Sequence, residues 1–380
     1  MGWVLSRPSC FCYTKSMSQY VFILGHNPKL SVAEILAVLP QTKKVFETSS
    51  FFIIESEKFD CQKILQRLGG MIKIGEVIGQ QINQKIIAEQ LRQLKPVGKL
   101  NFGLSYYDCK KDDLGMEVKR ELHRYDIKSR LVTSKDKILS SVVVTKNKCI
   151  EFLILENRWL AKTCAVQEFE EYSFRDYGRP SRDMLSGSMP PKLAKIMINL
   201  AQAPAGVTIL DPFCGSGTIL QEALLLGYKV IGSDISSRAI KDTKQNLEWL
   251  SKKFQISNFK FQIFQSDVRH LSQTIDQVDA IVTEPYLGPP LKGSENREKI
   301  EVIIDELAEL YVTAFSEFRK ILSSNGRIVI VFPAFRLGKD ILELPILDQI
   351  KKLGFTQLNS DKLIYSRPDQ KVWRQIFIWQ

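Results

Sequence analysis

The sequence predicts an α/β fold for the C-terminal half of the chain, built on a doubly wound, mostly parallel sheet, with α+β units in front of it. Three observations lead to this prediction. From Val207 onward, short β-branched runs alternate with helical patterns, which is typical of parallel strands joined by helices. Several of these runs end at an acidic residue, and a glycine turn follows the first of them. The chain of 380 residues is long for one domain and comfortable for two or three.

The pattern of residues 17–79 predicts a first small α+β unit. The pattern gives a strand, a helix, a strand, a helix and a strand, at 19–24, 31–39, 51–55, 61–68 and 72–78. Ser31 and Glu34 stand three residues apart at the start of the first helix, as in a capping box. This order favours a ferredoxin-like layer of helices on a sheet. Residues 1–16 lack the apolar segment of a secretory signal, and we interpret them as a disordered extension.

Residues 80–156 predict a second α+β unit. Helices are expected at 84–94 and 115–125, and strands at 99–106, 129–133, 140–145 and 151–155. Residues 157–187, rich in polar, aromatic and charged residues, are interpreted as a linker. The last domain, residues 188–380, then begins with a helix that Ser188 or Met189 is expected to cap.

The positive charge is concentrated in the N-terminal half. The net charge is +11, and residues 1–190 carry 29 lysines and arginines against 21 acidic residues. A basic accessory region suits a polyanionic substrate, because neutralised phosphates release counterions. A solvated, mildly basic surface would explain the same charge, and charge alone does not decide between the two.

A strand, a glycine turn and a helix start follow one another at residues 207–226. The strand at 207–210 is followed by Asp211, and Gly215 and Gly217 form the turn. Such a turn lets the backbone approach a ligand and directs free N–H groups at it. Seventeen residues past Gly217, a second strand ends in Asp234, at the distance where a carboxylate can reach a ribose.

Two further strand ends carry polar residues. The third strand, at 259–265, ends near Asp267, and the fourth, at 278–283, runs into Glu284-Pro285-Tyr286. Polar groups at neighbouring strand ends form a ligand crevice in open α/β sheets. After them the sequence predicts a helix at 296–322, a strand at 327–332 and a helix at 344–352. A hairpin of two strands, at 362–365 and 372–378, is expected to close the chain.

The residues from Asp211 to Thr218 resemble motif I of the class I methyltransferases that use S-adenosyl-L-methionine. The resemblance implies a Rossmann-like domain with a seven-stranded, mostly parallel sheet and a closing antiparallel hairpin. A nicotinamide-binding Rossmann domain is the alternative for a glycine turn, but it expects a third glycine that this turn lacks. The cofactor contacts implied are Asp211, Phe213, Gly215, Gly217, Thr218, Asp234, Ile235, Asp267 and Val268.

Glu284-Pro285-Tyr286 resembles the Asp-Pro-Pro-Tyr motif of the branch that methylates exocyclic amines. In that branch the acidic residue and the following carbonyl accept the amine hydrogens, and the aromatic ring stacks on the base. The resemblance implies these catalytic roles for Glu284, Pro285 and Tyr286. The chain departs from the motif, because one proline is missing and glutamate replaces aspartate. An altered or silent acceptor site is therefore the alternative.

The segment from Gly115 to Leu122, followed by predicted strands, resembles a THUMP domain, and the Arg179-Pro180 segment before a helix resembles tRNA guanosine methyltransferases that carry one. The resemblance implies that residues 80–156 bind tRNA near its acceptor end. The phosphate contacts expected are Lys110, Lys111, Lys119, Arg120, Arg124, Lys128 and Arg130. A solvated helix face is the alternative for this basic run.

The function predicted is S-adenosyl-L-methionine-dependent N2-methylation of a guanosine in tRNA, in the region that joins the acceptor and D stems. The alternatives are a DNA or rRNA amine methyltransferase and a catalytically silent RNA-binding protein. No apolar run is long enough to span a membrane, and no cysteine or histidine spacing suggests a metal. Seven cysteines without paired spacing predict reduced thiols and a cytoplasmic protein, whose oligomeric state the sequence leaves open.

Overall fold

The computed structural model describes residues 17–181, 189–255, 260–367 and 370–380, which form two sheets covered by helices. The expected extension at 1–16 and one of the two expected caps, Ser188, lie outside the described residues. The other expected cap, Met189, is wrong, because the helix begins at Pro191 and Pro190 holds the cap position.

The N-terminal half is built on one sheet. Its elements are β1 (Met17–Leu24), α1 (Pro28–Val38), β2 (Lys43–Glu47), β3 (Phe51–Glu57), α2 (Cys61–Arg67), β4 (Met71–Gly79), α3 (Gln84–Arg92), β5 (Leu100–Tyr107), α4 (Leu114–Arg124), β6 (Ser129–Val132), α5 (Ser141–Lys146), β7 (Ile150–Leu155), β8 (Trp159–Val166) and α6 (Phe169–Tyr177). The strand order is β2-β3-β1-β4-β8-β7-β5-β6. The two units predicted for this half share the sheet, because β4 pairs with β8 in antiparallel register.

The C-terminal half is built on the second sheet. Its elements are α7 (Pro191–Leu200), β9 (Thr208–Asp211), α8 (Thr218–Leu225), β10 (Lys229–Asp234), α9 (Ser237–Phe254), β11 (Phe261–Gln265), a 3-10 helix (Val268–Gln273), β12 (Val278–Thr283), α10 (Arg297–Ile321), β13 (Leu322–Leu337), β14 (Asp340–Glu343), α11 (Leu347–Lys352), β15 (Leu363–Tyr365) and β16 (Val372–Trp379).

The strand order of the second sheet is β11-β10-β9-β12-β13-β16-β15. The first five strands are parallel, and β16 runs antiparallel to both of its neighbours. The predicted α/β fold with its closing hairpin is confirmed, and the short β14 pairs with β13 beside this path. The order reverses between β9 and β12, which is where open α/β sheets form their ligand crevice.

Alternating side chains of β13 divide the core of this half into two layers. Val329 and Val331 pack with α7 and α8, whereas Ile328 and Ile330 pack with α10 on the other face. Leu30 of α1 belongs to the first layer, together with Leu193 of α7. The N-terminal half therefore shares a hydrophobic core with the C-terminal half.

The predicted capping box at Ser31 and Glu34 is wrong. The helix begins at Pro28, and both side chains are buried inside the boundary between the two halves. The Ser31 hydroxyl donates to the carbonyl of Gly70, and Glu34 accepts from the N–H groups of Gly69 and Gly70 at 2.8 Å each. The residue types of a cap thus serve tertiary contacts here.

The predicted strand at 140–145 is also wrong, because this segment forms α5. Its β-branched run favours a strand locally. Ser140 instead caps the helix, its hydroxyl accepting from the N–H of Val143, and Val144 is buried. Packing and a cap outweigh propensity in a helix this short.

Part of the expected linker is regular structure. Residues 159–166 form β8 in the middle of the N-terminal sheet, and residues 169–177 form α6. The apolar stretch at the start of β8 is the signal that the linker interpretation overlooked.

Two of the cysteines predicted to be reduced form a disulfide. Cys61 at the start of α2 and Cys164 in β8 are 103 residues apart, and their Cα atoms lie 6.0 Å apart. That distance is within the range a disulfide spans. Sequence spacing carries no sign of this pair, because only the fold brings α2 onto β8.

Candidate active site

Three acidic residues meet at one edge of the second sheet. Asp211 ends β9, Asp234 ends β10, and Glu284 follows β12. The parallel register places Gly232 beside Asp211 and Ile281 beside Leu210, so the three strand ends are neighbours. This is the arrangement that the sequence predicts for a ligand crevice.

The glycine turn depends on backbone that glycine adopts readily. Gly215 and Gly217 have φ angles of 51° and 82°. A Cβ atom at Gly217 would lie 3.0 Å from Thr243, whereas one at Gly215 would meet nothing within 4 Å. The Thr243 hydroxyl donates to the carbonyl of Gly215 at 2.7 Å, which fixes the turn from α9. The space beside Gly215 is therefore open toward the crevice.

Asp211 is a buried carboxylate at the base of the crevice. It accepts from the Thr283 hydroxyl at 2.7 Å and from the N–H of Phe213 at 3.2 Å. Burial raises the pKa of Asp211 to about 7, and the nearby charges of Asp234 and Glu284 act in the same direction. A bound cation would favour its ionised form.

Asp234 is oriented by two backbone groups. One oxygen accepts from the N–H of Gly215 at 3.0 Å and the other from the N–H of Ser236 at 2.8 Å. A carboxylate offers about four lone-pair sites, so each oxygen keeps capacity for a hydroxyl. The next residue, Ile235, is 65% exposed and offers an apolar surface beside it.

Asp267 lies after β11 and is engaged by Arg269. Its oxygens accept from the Arg269 guanidinium, with contacts of 2.5 and 3.0 Å, and from the Arg269 N–H at 2.9 Å. These hydrogen bonds lower the pKa of Asp267. Val268 is buried in the core below. A ligand amino group would have to share this carboxylate with Arg269.

The donor set fits S-adenosyl-L-methionine. Asp211 is a carboxylate for an ammonium group, and Asp234 is a carboxylate for a pair of hydroxyls. The turn at Gly215 and Gly217 leads directly into α8, whose first N–H groups favour a carboxylate. Thr218 is buried as the first residue of that helix, and Phe213 lines the turn that precedes it.

The segment at 179–181 contacts the glycine turn and its helix, and the sequence alone does not indicate these contacts. The guanidinium of Arg179 donates to the Thr218 hydroxyl at 2.6 Å. Asn246 of α9 donates to the carbonyls of Ser181 and Ser216 at 2.9 and 2.8 Å, and accepts from the N–H of Ser181. These contacts tie the 179–181 segment to the turn.

The acceptor motif is held by a residue that the sequence analysis missed. Arg374 of β16 forms a two-pronged ion pair with Glu284, with N···O distances of 2.5 and 3.0 Å. Pro285 is buried, and Tyr286 is 55% exposed with its carbonyl accepting from the Tyr311 hydroxyl at 3.2 Å. The sequence signal for Arg374 is a single charged residue, followed by Gln375, inside the largely apolar strand Val372–Trp379.

The basic residues expected to contact RNA lie on one end of the N-terminal sheet. Lys110 and Lys111 precede α4, and Lys119 and Arg120 are exposed on it. Arg124 ends α4 and pairs with Glu121 at 2.7 Å. The remaining two, Lys128 and Arg130, are exposed at the edge strand β6. The fold thus collects all seven around α4 and β6.

Neither a metal cluster nor a membrane-spanning helix is found in the described parts of the chain. No three His, Cys, Asp or Glu side chains converge there in a way that could hold an ion. No helix in those ranges combines the length and the apolar character that crossing a membrane requires.

Comparisons with known proteins identify the family. Residues 179–361 match the family described as RMKL-like, methyltransferase domain, and residues 77–245 match a family described as DNA methylase. The tRNA (guanine(10)-N2)-dimethyltransferase of Methanothermobacter thermautotrophicus is 30% identical over 301 residues, which cover 77% of this chain and 84% of that protein.

Two further similarities extend over nearly the whole chain. The tRNA (guanine(10)-N2)-dimethyltransferase of Pyrococcus abyssi is 25% identical over 95% of this chain and 99% of its own. The crystal structure of TrmN from Thermus thermophilus superimposes with a TM-score of 0.52 at 16% identity, covering 95% of this chain and 99% of that one, and so shows the shared fold. This chain therefore belongs to the family of S-adenosyl-L-methionine-dependent tRNA (guanine-N2) methyltransferases.

Proposed function

We propose that the chain methylates the N2 amine of guanosine 10 in tRNA, and that it adds up to two methyl groups. The meeting of Asp211, Asp234 and Glu284-Pro285-Tyr286 at one sheet edge carries the proposal, because cofactor and amine contacts then face one crevice. The position and the number of methyl groups rest on the names of the relatives from Methanothermobacter thermautotrophicus and Pyrococcus abyssi.

The cofactor contacts are assigned from the chemistry of each group. Asp211 holds the ammonium end, Asp234 holds the ribose hydroxyls, and the turn at Gly215 and Gly217 faces the carboxylate. Phe213 and Thr218 flank that turn, Ile235 covers one face of the adenine, and Asp267 with Val268 lies toward its amino edge. When bound, the cofactor supplies an electrophilic methyl group on a sulfonium.

The acceptor contacts make the weakly nucleophilic guanine amine more reactive. The guanine N2 lone pair is delocalised into the ring, so the amine reacts poorly. Glu284 and the Pro285 carbonyl accept the two amine hydrogens, which aims the nitrogen at the methyl group. Tyr286 stacks on the base, which must first turn out of the RNA helix.

The N-terminal half is assigned to RNA binding. We propose the division 17–79 as a ferredoxin-like part, 80–156 as a THUMP-like part and 188–380 as the methyltransferase domain, with β8 joining the first two parts in one sheet. The exposed basic residues around α4 and β6 support the assignment of RNA binding to this half, since a cationic surface supplies phosphate contacts. The shared sheet makes the two N-terminal parts one structural body.

The direct test is nucleoside mass spectrometry of unmodified tRNA after incubation with the full chain and cofactor. Sequencing of the product by nuclease mapping locates the modified guanosine. We expect N2-methyl- and N2,N2-dimethylguanosine at position 10. Modification at position 6, as in the name of the relative from Thermus thermophilus, would reject the assigned position and leave the chemistry intact.

Glu284→Gln tests the acceptor site itself. The substitution keeps the size of the side chain but replaces one acceptor oxygen by a donor. We expect turnover to fall by roughly 100-fold, the scale of losing one preorganised electrostatic group, with nearly unchanged cofactor affinity. A fully active Glu284→Gln would assign the amine contact to another residue.

A further inference from the structure

The acidic residue of the acceptor motif is clamped by an arginine that lies two strands away in the sheet. Arg374 lies in β16, between Pro333 of β13 and Tyr365 of β15 in register. Its side chain is 10% exposed and that of Glu284 is 15% exposed, so the ion pair lies largely out of water. The two residues are 90 positions apart in the chain. This contact therefore exists only because the closing hairpin returns to the edge of the parallel strands.

The geometry of the clamp leaves Glu284 able to bind a second partner. Arg374 Nε contacts one carboxylate oxygen and Nη2 contacts the other. A guanidinium bound in this way uses one lone pair of each oxygen and fixes the plane of the carboxylate. The remaining lone pairs are available to an N–H donor.

The clamp also compensates for the glutamate that this chain has where the motif has aspartate. Glutamate has one more rotatable bond than aspartate, so an unclamped Glu284 would sample more orientations. Arg374 removes that freedom before the substrate arrives. The positive charge of Arg374 also offsets one of the three carboxylates that meet at this edge. The charges of Glu284 and Asp234 both raise the pKa of Asp211 there.

We propose that Arg374 is a positioning residue for the methyl acceptor. It acts through Glu284, which it holds in the plane that receives the guanine amine, and it makes no contact with the base. The inference rests on the proposed acceptor role of Glu284. The opposite reading, a latch that blocks the base until it opens, predicts faster turnover when Arg374 is removed.

The test compares Arg374→Gln and Arg374→Lys with the wild-type full chain. We expect Arg374→Gln to lower kcat for unmodified tRNA by about 10- to 100-fold, while KM for tRNA and Kd for the cofactor change less than about threefold. Arg374→Lys keeps the charge but cannot form the fork, so we expect a loss between wild type and Arg374→Gln. Arg367→Gln is the matched control, because Arg367 is an exposed arginine in the same hairpin.

A double variant separates positioning from a general structural effect. If Arg374 acts through Glu284, then Glu284→Gln with Arg374→Gln should be no slower than Glu284→Gln alone. Multiplied losses would overturn the inference, as would an unchanged or raised kcat in Arg374→Gln. If Arg374→Gln does not fold, as judged by circular dichroism, Arg374→Lys decides, and full activity of that variant overturns the inference.

The same set of variants tells the two hypotheses apart. A fully active Glu284→Gln removes the proposed acceptor role and the inference with it. An impaired Glu284→Gln beside a fully active Arg374→Gln removes the inference alone.

Discussion

Asp211 is a buried side chain whose charge should respond to what binds beside it. It is buried, and its pKa of about 7 lies well above that of a carboxyl group in water because burial penalises the charged form. A cofactor ammonium placed there would supply the missing positive charge. Binding of the cofactor near neutral pH should then release a proton from Asp211.

Cofactor affinity should therefore weaken as the pH falls from 7.5 to 5.5. Below a pKa of about 7, Asp211 takes up a proton and its ion pair with the ammonium is lost. The dissociation constant should rise toward a limit of about tenfold per pH unit, which is the slope for one coupled proton. Titration calorimetry of the full chain with S-adenosyl-L-methionine measures this directly.

Two variants identify the titrating group. Asp211→Asn should weaken binding at pH 7.5 and flatten its pH dependence. Asp234→Ala removes the proposed ribose contact but leaves Asp211 in place, so it should weaken affinity by about 1–3 kcal/mol and keep the slope. A steep slope that persists in Asp211→Asn would assign the proton to another residue.

The residues of the candidate site differ in how far sequence predicts them. Asp211, Asp234 and Glu284 stand at the ends of parallel strands, and parallel strands bring such ends together, so pattern alone groups them. Arg374 belongs to an antiparallel strand whose partner is decided by the closing hairpin. No local pattern encodes that pairing, so this residue required the structure.

At the scale of elements, Glu34 joins α1 to α7 and to the turn before β4. Its carboxylate accepts from the N–H groups of Gly69 and Gly70, and from the Asn199 side chain at 2.7 Å. Burial raises the pKa of Glu34 to about 7, against three hydrogen bonds that lower it. The two halves are thus joined by a carboxylate that titrates near neutral pH.

Glu34 should make the protein less stable as the pH rises from about 5 to 8. The folded state holds this proton more tightly than the unfolded state, whose pKa is the ordinary 4.5, so the benefit is complete below 4.5 and is lost as the pH passes about 7. We expect the difference in melting temperature between pH 5 and pH 8 to shrink in Glu34→Gln.

Glu34→Gln should be destabilised at pH 5, by about 1–3 kcal/mol, because the amide NH2 group cannot accept a hydrogen bond where the hydroxyl oxygen of the protonated Glu34 can. The loss should be smaller at pH 8, where glutamine avoids the buried charge of the wild type. Glu89→Gln is the matched control, since Glu89 is a surface glutamate of α3 bound to Arg92. A Glu34→Gln protein with the pH dependence of wild type would place the titration elsewhere.

The surface of α4 has its own prediction. Replacing Lys119 and Arg120 by glutamine should weaken tRNA binding and reduce the dependence of binding on salt. For each lost phosphate contact, the slope of log K against log salt should fall by about 0.7–0.9. Fluorescence anisotropy with labelled tRNA at several salt concentrations measures both effects.

Lys43 and Lys44 provide the control for that experiment. They are exposed on β2, which lies at the opposite end of the same sheet from β6. Their replacement by glutamine leaves the net charge equal to that of the α4 variant. Equal losses of affinity in the two variants would count against a surface localised at α4.

Elements differ in predictability for physical reasons. The central strands β9 and β12 of the second sheet are buried on both faces, so their continuous apolar runs are plain in the sequence. The segment at 140–145 has the residues of a strand but is closed into α5 by the Ser140 cap. β8 lies in the segment that the sequence predicts to be a linker, because its place in the sheet depends on pairing with the distant β4 and with β7.

At the scale of the whole molecule, two sheets meet across α1 and α7. Besides the shared apolar layer, Lys195 donates to the carbonyl of Gln66 at 3.0 Å and Asn199 donates to the carbonyl of Arg67 at 2.8 Å. Each of these contacts joins the two halves through a buried side chain of α7. The tRNA surface proposed on the first sheet is thus attached to the crevice of the second through packed helices.

The boundary at α1 and α7 has a consequence for cooperativity. Cutting the chain before α7 would uncover Leu193 and leave the Asn199 side chain without its partners Glu34 and Arg67, at a cost of about 1–3 kcal/mol for an orphaned polar group. Lys195 would lose its contact with Gln66 and keep its ion pair with Glu222. Each half should therefore be less stable as a separate fragment than it is within the intact chain. Differential scanning calorimetry of the full protein should show one transition whose calorimetric and van't Hoff enthalpies agree, whereas two resolved transitions would mean that the halves unfold independently.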